Sequence, residues 1–231
     1  MIVIVGNTKG GVGKTTLAVQ IALARSGAGQ SVLLIDADRQ GSAQIAATMR
    51  AESGRPPLAC VQLADGRLLR AQLGPLAAKH DDTIIDAGGR DNEALGRSAP
   101  LGSARRARAA ACGGRVVARR HDRAHRPGAG SSGGRRPPPL RVLAALNLAD
   151  PGDNRDTAET IEALAGFSQF TVAGTVIRRR KAVANAMATG LAAAEMQPRD
   201  PKACEEIEQL VSNVFNVTEV THGNHTTIEA E

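Results

Sequence analysis

The chain reads as an α/β protein: a doubly wound, mainly parallel sheet with helices on both faces. Three observations predict it. Ile2–Val5, Ser31–Ile35 and Thr83–Ile85 are near-continuous apolar runs rather than alternating ones, as strands buried on both faces require. Two of these runs end in carboxylates, Asp36 and Asp86, and the C-terminal ends of parallel strands are where open α/β sheets bind ligands. The first run leads through a glycine-rich turn into an apolar-periodic helical stretch from Leu17 to Ala24. At 231 residues the chain falls within the range of one such domain, which we place at 1–215.

The turn is Lys9-Gly10-Gly11-Val12-Gly13-Lys14-Thr15-Thr16. Strand, glycine-rich loop and helix in that order are the context a phosphate-binding loop needs. Glycines let the backbone curl and aim successive N–H groups at phosphate oxygens, and the helix start adds its positive dipole end. Lys14 is placed to neutralise β- and γ-phosphates and the Thr15 hydroxyl to ligate Mg²⁺. The ordinary loop pattern wants glycine where Thr8 stands, and here a second lysine, Lys9, opens the loop instead.

The second strand runs into Asp36-Ala37-Asp38-Arg39-Gln40-Gly41-Ser42, where Asp38 is also placed to cap a helix over Gln40–Met49. The third ends in Asp86-Ala87-Gly88-Gly89. Further on, Leu140–Asn147 reads as a strand and Asp156–Leu164 as an amphipathic helix with Asn154 or Asp156 as its cap. Phe170–Ile177 reads as a late strand. Arg178-Arg179-Arg180-Lys181 then opens an alanine-rich helix through Ala194, and Pro201–Val214 closes the domain. Cations at a helix start are electrostatically poor, so four in a row ask for an anionic partner.

Together these motifs resemble the ParA/MinD family of P-loop ATPases with a deviant Walker A loop, over 1–96 and 140–215. Several expectations follow from that resemblance. ATP and Mg²⁺ bind at Gly10, Gly11, Val12, Gly13, Lys14, Thr15 and Thr16, and Lys9 reaches a partner's nucleotide in an ATP-dependent homodimer. Asp38 positions the attacking water; Asp36 supports Mg²⁺ from the outer shell, and Asp86 holds it through water. The family usually has proline where Arg39 stands. Arg178, Arg179, Arg180 and Lys181 contact non-specific DNA. The resemblance is to the short form, with no DNA-binding domain ahead of the loop. It implies a cytoplasmic, nucleoid-associated ATPase that partitions plasmid or chromosome DNA with a ParB-like, centromere-binding partner. A positioner of non-DNA cargo, a binding switch without turnover, and an inactive remnant of a damaged gene are the alternatives.

Residues 97–139 break the pattern. Eleven arginines against one acid, Asp122, give that segment +10 and leave −4 for the rest of a chain whose net charge is +6. It holds no Ile, Met, Phe, Tyr or Trp, its run Ser103–Gly114 has neither helical nor strand period, and it cannot bury enough apolar surface to order itself. One reading is a disordered basic loop touching DNA or another polyanion. The other is a stretch of GC-rich gene read out of frame. Shifted forward by one base, the codons of Ala104-Arg105-Arg106-Ala107-Arg108 admit Leu-Val-Val-Pro-Val, and those of His121–His125 admit Met-Thr-Ala-Leu-Ile. ParA-type chains carry a strand and a helix of that kind here, beside the phosphate-loop strand. Without them the sheet would lack a central strand.

No apolar run approaches the length of a membrane span and no signal-peptide pattern is present. Cys60, Cys112 and Cys204 are scattered with no metal-type spacing and read as reduced. The tail, 216–231, reads as disordered. The MinD-type chains that this one would otherwise resemble end in a basic amphipathic helix that lies on the membrane, and nothing here is similar to it, which argues against membrane targeting.

Overall fold

The computed structural model describes residues 1–7, 11–88, 141–152, 154–165 and 171–215, and the backbone alone of 115–121 and Arg141. In order, the elements are β1 (Ile2–Gly6), α1 (Lys14–Gly27), β2 (Val32–Asp36), α2 (Ser42–Glu52), β3 (Ala59–Gln62), α3 (Gly66–Ala77) and β4 (Asp82–Asp86). There follow β5 (Arg115–His121), β6 (Arg141–Ala149), α4 (Asn154–Ala165), β7 (Thr171–Arg178), α5 (Lys181–Ala188), a 3₁₀ turn (Ala193–Glu195) and α6 (Pro201–Phe215).

The strands form one seven-stranded sheet in the order β3-β2-β4-β1-β5-β6-β7. β1 pairs in parallel with β4, β4 with β2, β2 with β3, and β6 with β7. The first strands wind outward from β1 in one direction and the later strands lie on its other side, so β1 sits at the switch point where such sheets bind ligands.

Continuous apolar strands are buried on both faces because successive side chains alternate between two helical layers. Val3 and Val5 of β1, Leu34 of β2 and Ile84 of β4 face α1, α2 and α6, packing with Leu17, Ile21, Ala46, Ile207, Leu210 and Val214. Leu33, Ile35 and Ile85 face the other way, onto Leu69, Leu73 and Ala77 of α3, with Ile2 and Ile4 alongside. α6 is amphipathic, burying Cys204, Ile207, Leu210 and Val214 along one stripe. At its end, Phe215 lies under the Arg25 guanidinium, 4.2 Å from the ring centre, while Arg25 Nε donates to Asp82 at 2.7 Å.

The structure departs from the sequence reading in five places. α4 begins at Asn154, so neither Asn154 nor Asp156 caps it; Asp156 lies in its first turn. β3 and α3 form where no element was marked. α2 begins at Ser42 rather than Gln40, because Gly41 takes the left-handed backbone at φ +67° and serves as the cap position. α5 stops at Ala188, short of the expected Ala194: Gly190 adopts φ +68° and its backbone lies against α2, where an added Cβ would come within 2.5 Å of Ala46 O. Residues 115–121 do form a strand, so the centre of the sheet is filled; β5 is antiparallel to both β1 and β6. Residues 97–114 and 122–139, and the tail 216–231, lie outside the described residues.

Candidate functional site

The site is built at the C-terminal ends of β1, β2 and β4, stitched to one another by backbone bonds. Ala37 N donates to Asp86 O at 2.9 Å, and Ala87 N to Val5 O at 2.9 Å. Thr8, Lys9, Gly10 and Gly89 lie outside the described residues. Gly11 and Gly13 hold φ of +70° and +77°, which other L-residues rarely adopt. Gly13 is required sterically as well, since a Cβ there would meet Asn147 Nδ2 at 2.5 Å. α1 opens directly after it, with no side-chain cap, so its first-turn N–H groups are offered to whatever lies above the loop. Lys14 is buried as the first residue of that helix; Thr15 and Thr16 are half-buried and Val12 is buried.

Sequence reasoning missed the brace behind this loop. Asn147, buried on β6, donates from Nδ2 to Val12 O at 2.8 Å. The next residue, Leu148, takes φ +58°, an uncommon conformation for leucine, at an irregularity in the β6–β7 register. An apolar strand ending in a lone asparagine was the available signal.

Asp36 and Asp86 are direct register partners on adjacent strands. Their environments differ sharply. Asp36 is fully buried; its Oδ1 accepts from Asp38 N at 3.0 Å, and its Oδ2 from Ala43 N and Gln44 N at 2.9 and 3.0 Å. It is therefore Asp36, not Asp38, that satisfies the start of α2. Asp38 is half-buried, accepts from Gln40 N at 3.0 Å, and lies against Gly88, where a Cβ would come 3.2 Å from its Cγ.

Asp86 is 1% exposed, and among the described residues neither of its carboxylate oxygens has a hydrogen-bond partner. Burial pushes its carboxyl up to about 6; the nearby Thr15 hydroxyl and Lys14 pull it down, while the Asp36 and Asp38 charges push it further up. A buried carboxylate without donors is costly unless a cation or its waters complete it. With Thr15 beside it, this donor set fits a hard divalent cation. Among the described residues no cluster of three or more His, Cys, Asp or Glu closes a metal cage.

The four consecutive cations are not equivalent. Arg180 is committed to Glu206, donating from Nε at 3.1 Å and Nη2 at 2.6 Å, and this pairing raises its pKa. Arg178 donates from Nη1 to Asp150 O at 2.9 Å and from Nη2 to Asn154 Oδ1 at 3.0 Å. Arg179 and Lys181 are exposed. The open groove lined by Asn185, Met196 and Arg199 includes none of the motif residues. Among the described residues, no helix is long and apolar enough to cross a membrane.

A 48-residue stretch is 50% identical to the chromosome-partitioning ATPase Soj of Thermus thermophilus, covering 21% of this chain and 19% of that protein. The match thus spans about a fifth of the relative's length. The septum site-determining protein MinD of Pyrococcus horikoshii, solved with Mg-ADP, shares the fold at a TM-score of 0.50 and 16% identity, over 93% of this chain and 96% of that one. An apo McdA structure from Cyanothece aligns at a TM-score of 0.49 and 14% identity, over 92% of this chain and 98% of that one. Residues 3–194 match the family described as the CobQ/CobB/MinD/ParA nucleotide-binding domain, and the chain belongs to that family.

Proposed function

We propose that the chain is a Mg²⁺-dependent ATPase of the ParA type, a nucleotide switch that partitions DNA. The observation carrying this reading is the buried carboxylate of Asp86, without a hydrogen-bond partner among the described residues, beside Thr15 and Lys14 at the mouth of a glycine loop opening a helix. Mg²⁺, when bound, supplies charge neutralisation at the β- and γ-phosphates, held through Thr15 and Asp86. Gly10–Thr16 present backbone N–H groups to the phosphates of ATP, and Lys14 offsets their charge. Asp36 frames the site, locking the Asp38 turn and α2 to the end of β2, and supports the cation from the outer shell. Asp38 orients a water for in-line attack on the γ-phosphorus. Lys9 completes the site of a second copy, so that ATP favours a homodimer.

Non-specific DNA is held through the phosphate backbone by the exposed Arg179 and Lys181, with Arg178 and Arg180 fixing the segment that carries them. A ParB-like partner stimulates turnover, and the protein works in the cytoplasm on the nucleoid. The partial match to a chromosome-partitioning ATPase supports this cargo. The test is phosphate release and duplex-DNA retention with Mg-ATP, Mg-ADP and EDTA, for wild type and Lys14→Ala. Turnover and DNA binding that both need Mg-ATP and Lys14 are expected. DNA binding indifferent to nucleotide, or no turnover, would contradict the proposal.

A further inference from the structure

The turn carrying Asp38 is held from outside every motif, by a residue on a neighbouring strand. Asp38–Gly41 is a four-residue turn closed by Gly41 N donating to Asp38 O at 3.2 Å. Arg39, exposed at its second position, leaves the backbone angle there unfixed. Gln62, the last residue of β3, reaches across and donates from Nε2 to Asp38 O at 3.1 Å, with Arg39 O at the outer limit of the same donor, 3.5 Å. Its backbone is itself fixed: Gln62 is the register partner of Asp36, and Leu63 N donates to Asp36 O at 2.8 Å. Gly41 leaves room for the carboxamide, since a Cβ there would stand 3.1 Å from Nε2.

We infer that Gln62 is a positioning residue for the Asp38 carboxylate. The Asp36 side chain holds the N–H of residue 38 and Gln62 holds its carbonyl, so the backbone of Asp38 is pinned on both sides and its carboxylate is left lying over Gly88. Gln62 is exposed and contributes nothing to the core, so its two contacts act on this turn alone. The catalytic consequence rests on the ATPase reading above; the effect on the turn does not.

The test compares wild type, Gln62→Ala, Gln62→Glu and the double variant Gln62→Ala/Arg39→Pro. Glutamate keeps the shape and replaces the donor with an acceptor facing a carbonyl. Mg-ATP turnover is measured together with amide hydrogen exchange over residues 37–42. Losing one such bond should lower kcat about five- to tenfold at nearly constant KM, with glutamate at least as harmful as alanine. Exchange at Asp38–Gly41 should speed up several-fold. Proline at position 39 fixes that angle independently and should restore most of the rate. Unchanged exchange in Gln62→Ala would overturn the inference, as would a rate loss carried in KM or one that proline leaves unrepaired. A wild type with no turnover would overturn the ATPase reading, while the exchange comparison would still decide the role of Gln62.

Discussion

Replacing Glu195 by Gln removes the charge that holds Arg50, and should cost the fold about 2 kcal/mol. Arg50 is 6% exposed on α2 and makes a bidentate pair with Glu195, Nη1 to Oε2 at 2.8 Å and Nη2 to Oε1 at 3.1 Å. Its Nε donates to Pro56 O at 2.7 Å. Breaking a fully buried pair by removing one partner typically costs about 3–5 kcal/mol. The Glu195 side chain is 23% exposed, and Arg50 keeps its carbonyl partners, which brings the figure down. In a domain of this size the melting temperature should fall by about 4–8 °C.

The clasp matters because Glu195 also accepts from Ala192 N, and Gln20 of α1 bonds Leu191 O and Ala193 N. It therefore ties α1 and α2, the two helices that leave the site, through one stretch of chain. The Arg50 hydrogen bonds hold the Glu195 carboxyl below its ordinary value of 4.5, with burial opposing. Stabilisation by such a group is complete above the unfolded-state value and is lost as pH falls through the lower folded-state value. The gap between wild type and Glu195→Gln should thus be full at neutral pH and close in acid. Urea melts of wild type, Glu195→Gln, Arg50→Met and the double variant measure it, and the double variant should lose less than the sum of the singles. Additive losses, or a gap that widens in acid, would refute the reasoning.

Asp86→Asn removes a buried charge that has no hydrogen-bond donor among the described residues, so the nucleotide-free protein should melt a few degrees higher while Mg²⁺-dependent turnover is lost; calorimetry showing a lower melting point would count against the cation-site assignment. Burial, with Asp36 adding, pushes the Cys60 thiol up to about 12, so at pH 8 it should alkylate far more slowly than a free cysteine; labelling at an ordinary rate would contradict its placement. Resequencing the DNA encoding residues 90–145 should reveal a shifted frame, because β5 runs against the direction of β1 and β6 on either side of it. A frame that stands unchanged would establish the arginine-rich segment as real.

The half of the sheet around the loop was legible because its strands are buried on both faces and so leave unbroken apolar runs. Val32–Ile35 and Ile84–Ile85 are of this kind, and in Ile2–Val5 one face, Val3 and Val5, is buried while Ile2 and Ile4 are half-buried. β3 was not legible. It is a four-residue edge strand with two half-buried positions, too short to show a period. α3 was hidden by Gly74-Pro75, which reads as a breaker yet sits in the helix's last turn, where little remains to be broken.

At the site, residue type and order marked the glycines, Lys14, Asp36, Asp38 and Asp86. The division of labour between the carboxylates was not readable, because it depends on which oxygens meet backbone N–H groups. Nor could the sequence tell Arg179 and Lys181 from Arg178 and Arg180, since Glu206 and Asn154 reach the latter pair from distant helices.

The most direct test of the ATPase claim is Mg-ATP hydrolysis by wild type and Asp38→Asn, with nucleotide affinity measured alongside. Asparagine keeps the acceptor for Gln40 N and loses the charge. Turnover in the wild type, a loss of about a hundredfold or more in the variant, and unchanged ATP affinity are expected. Wild-type turnover that survives the substitution would contradict the role of Asp38, and a wild type that binds ATP without splitting it would contradict the enzyme itself.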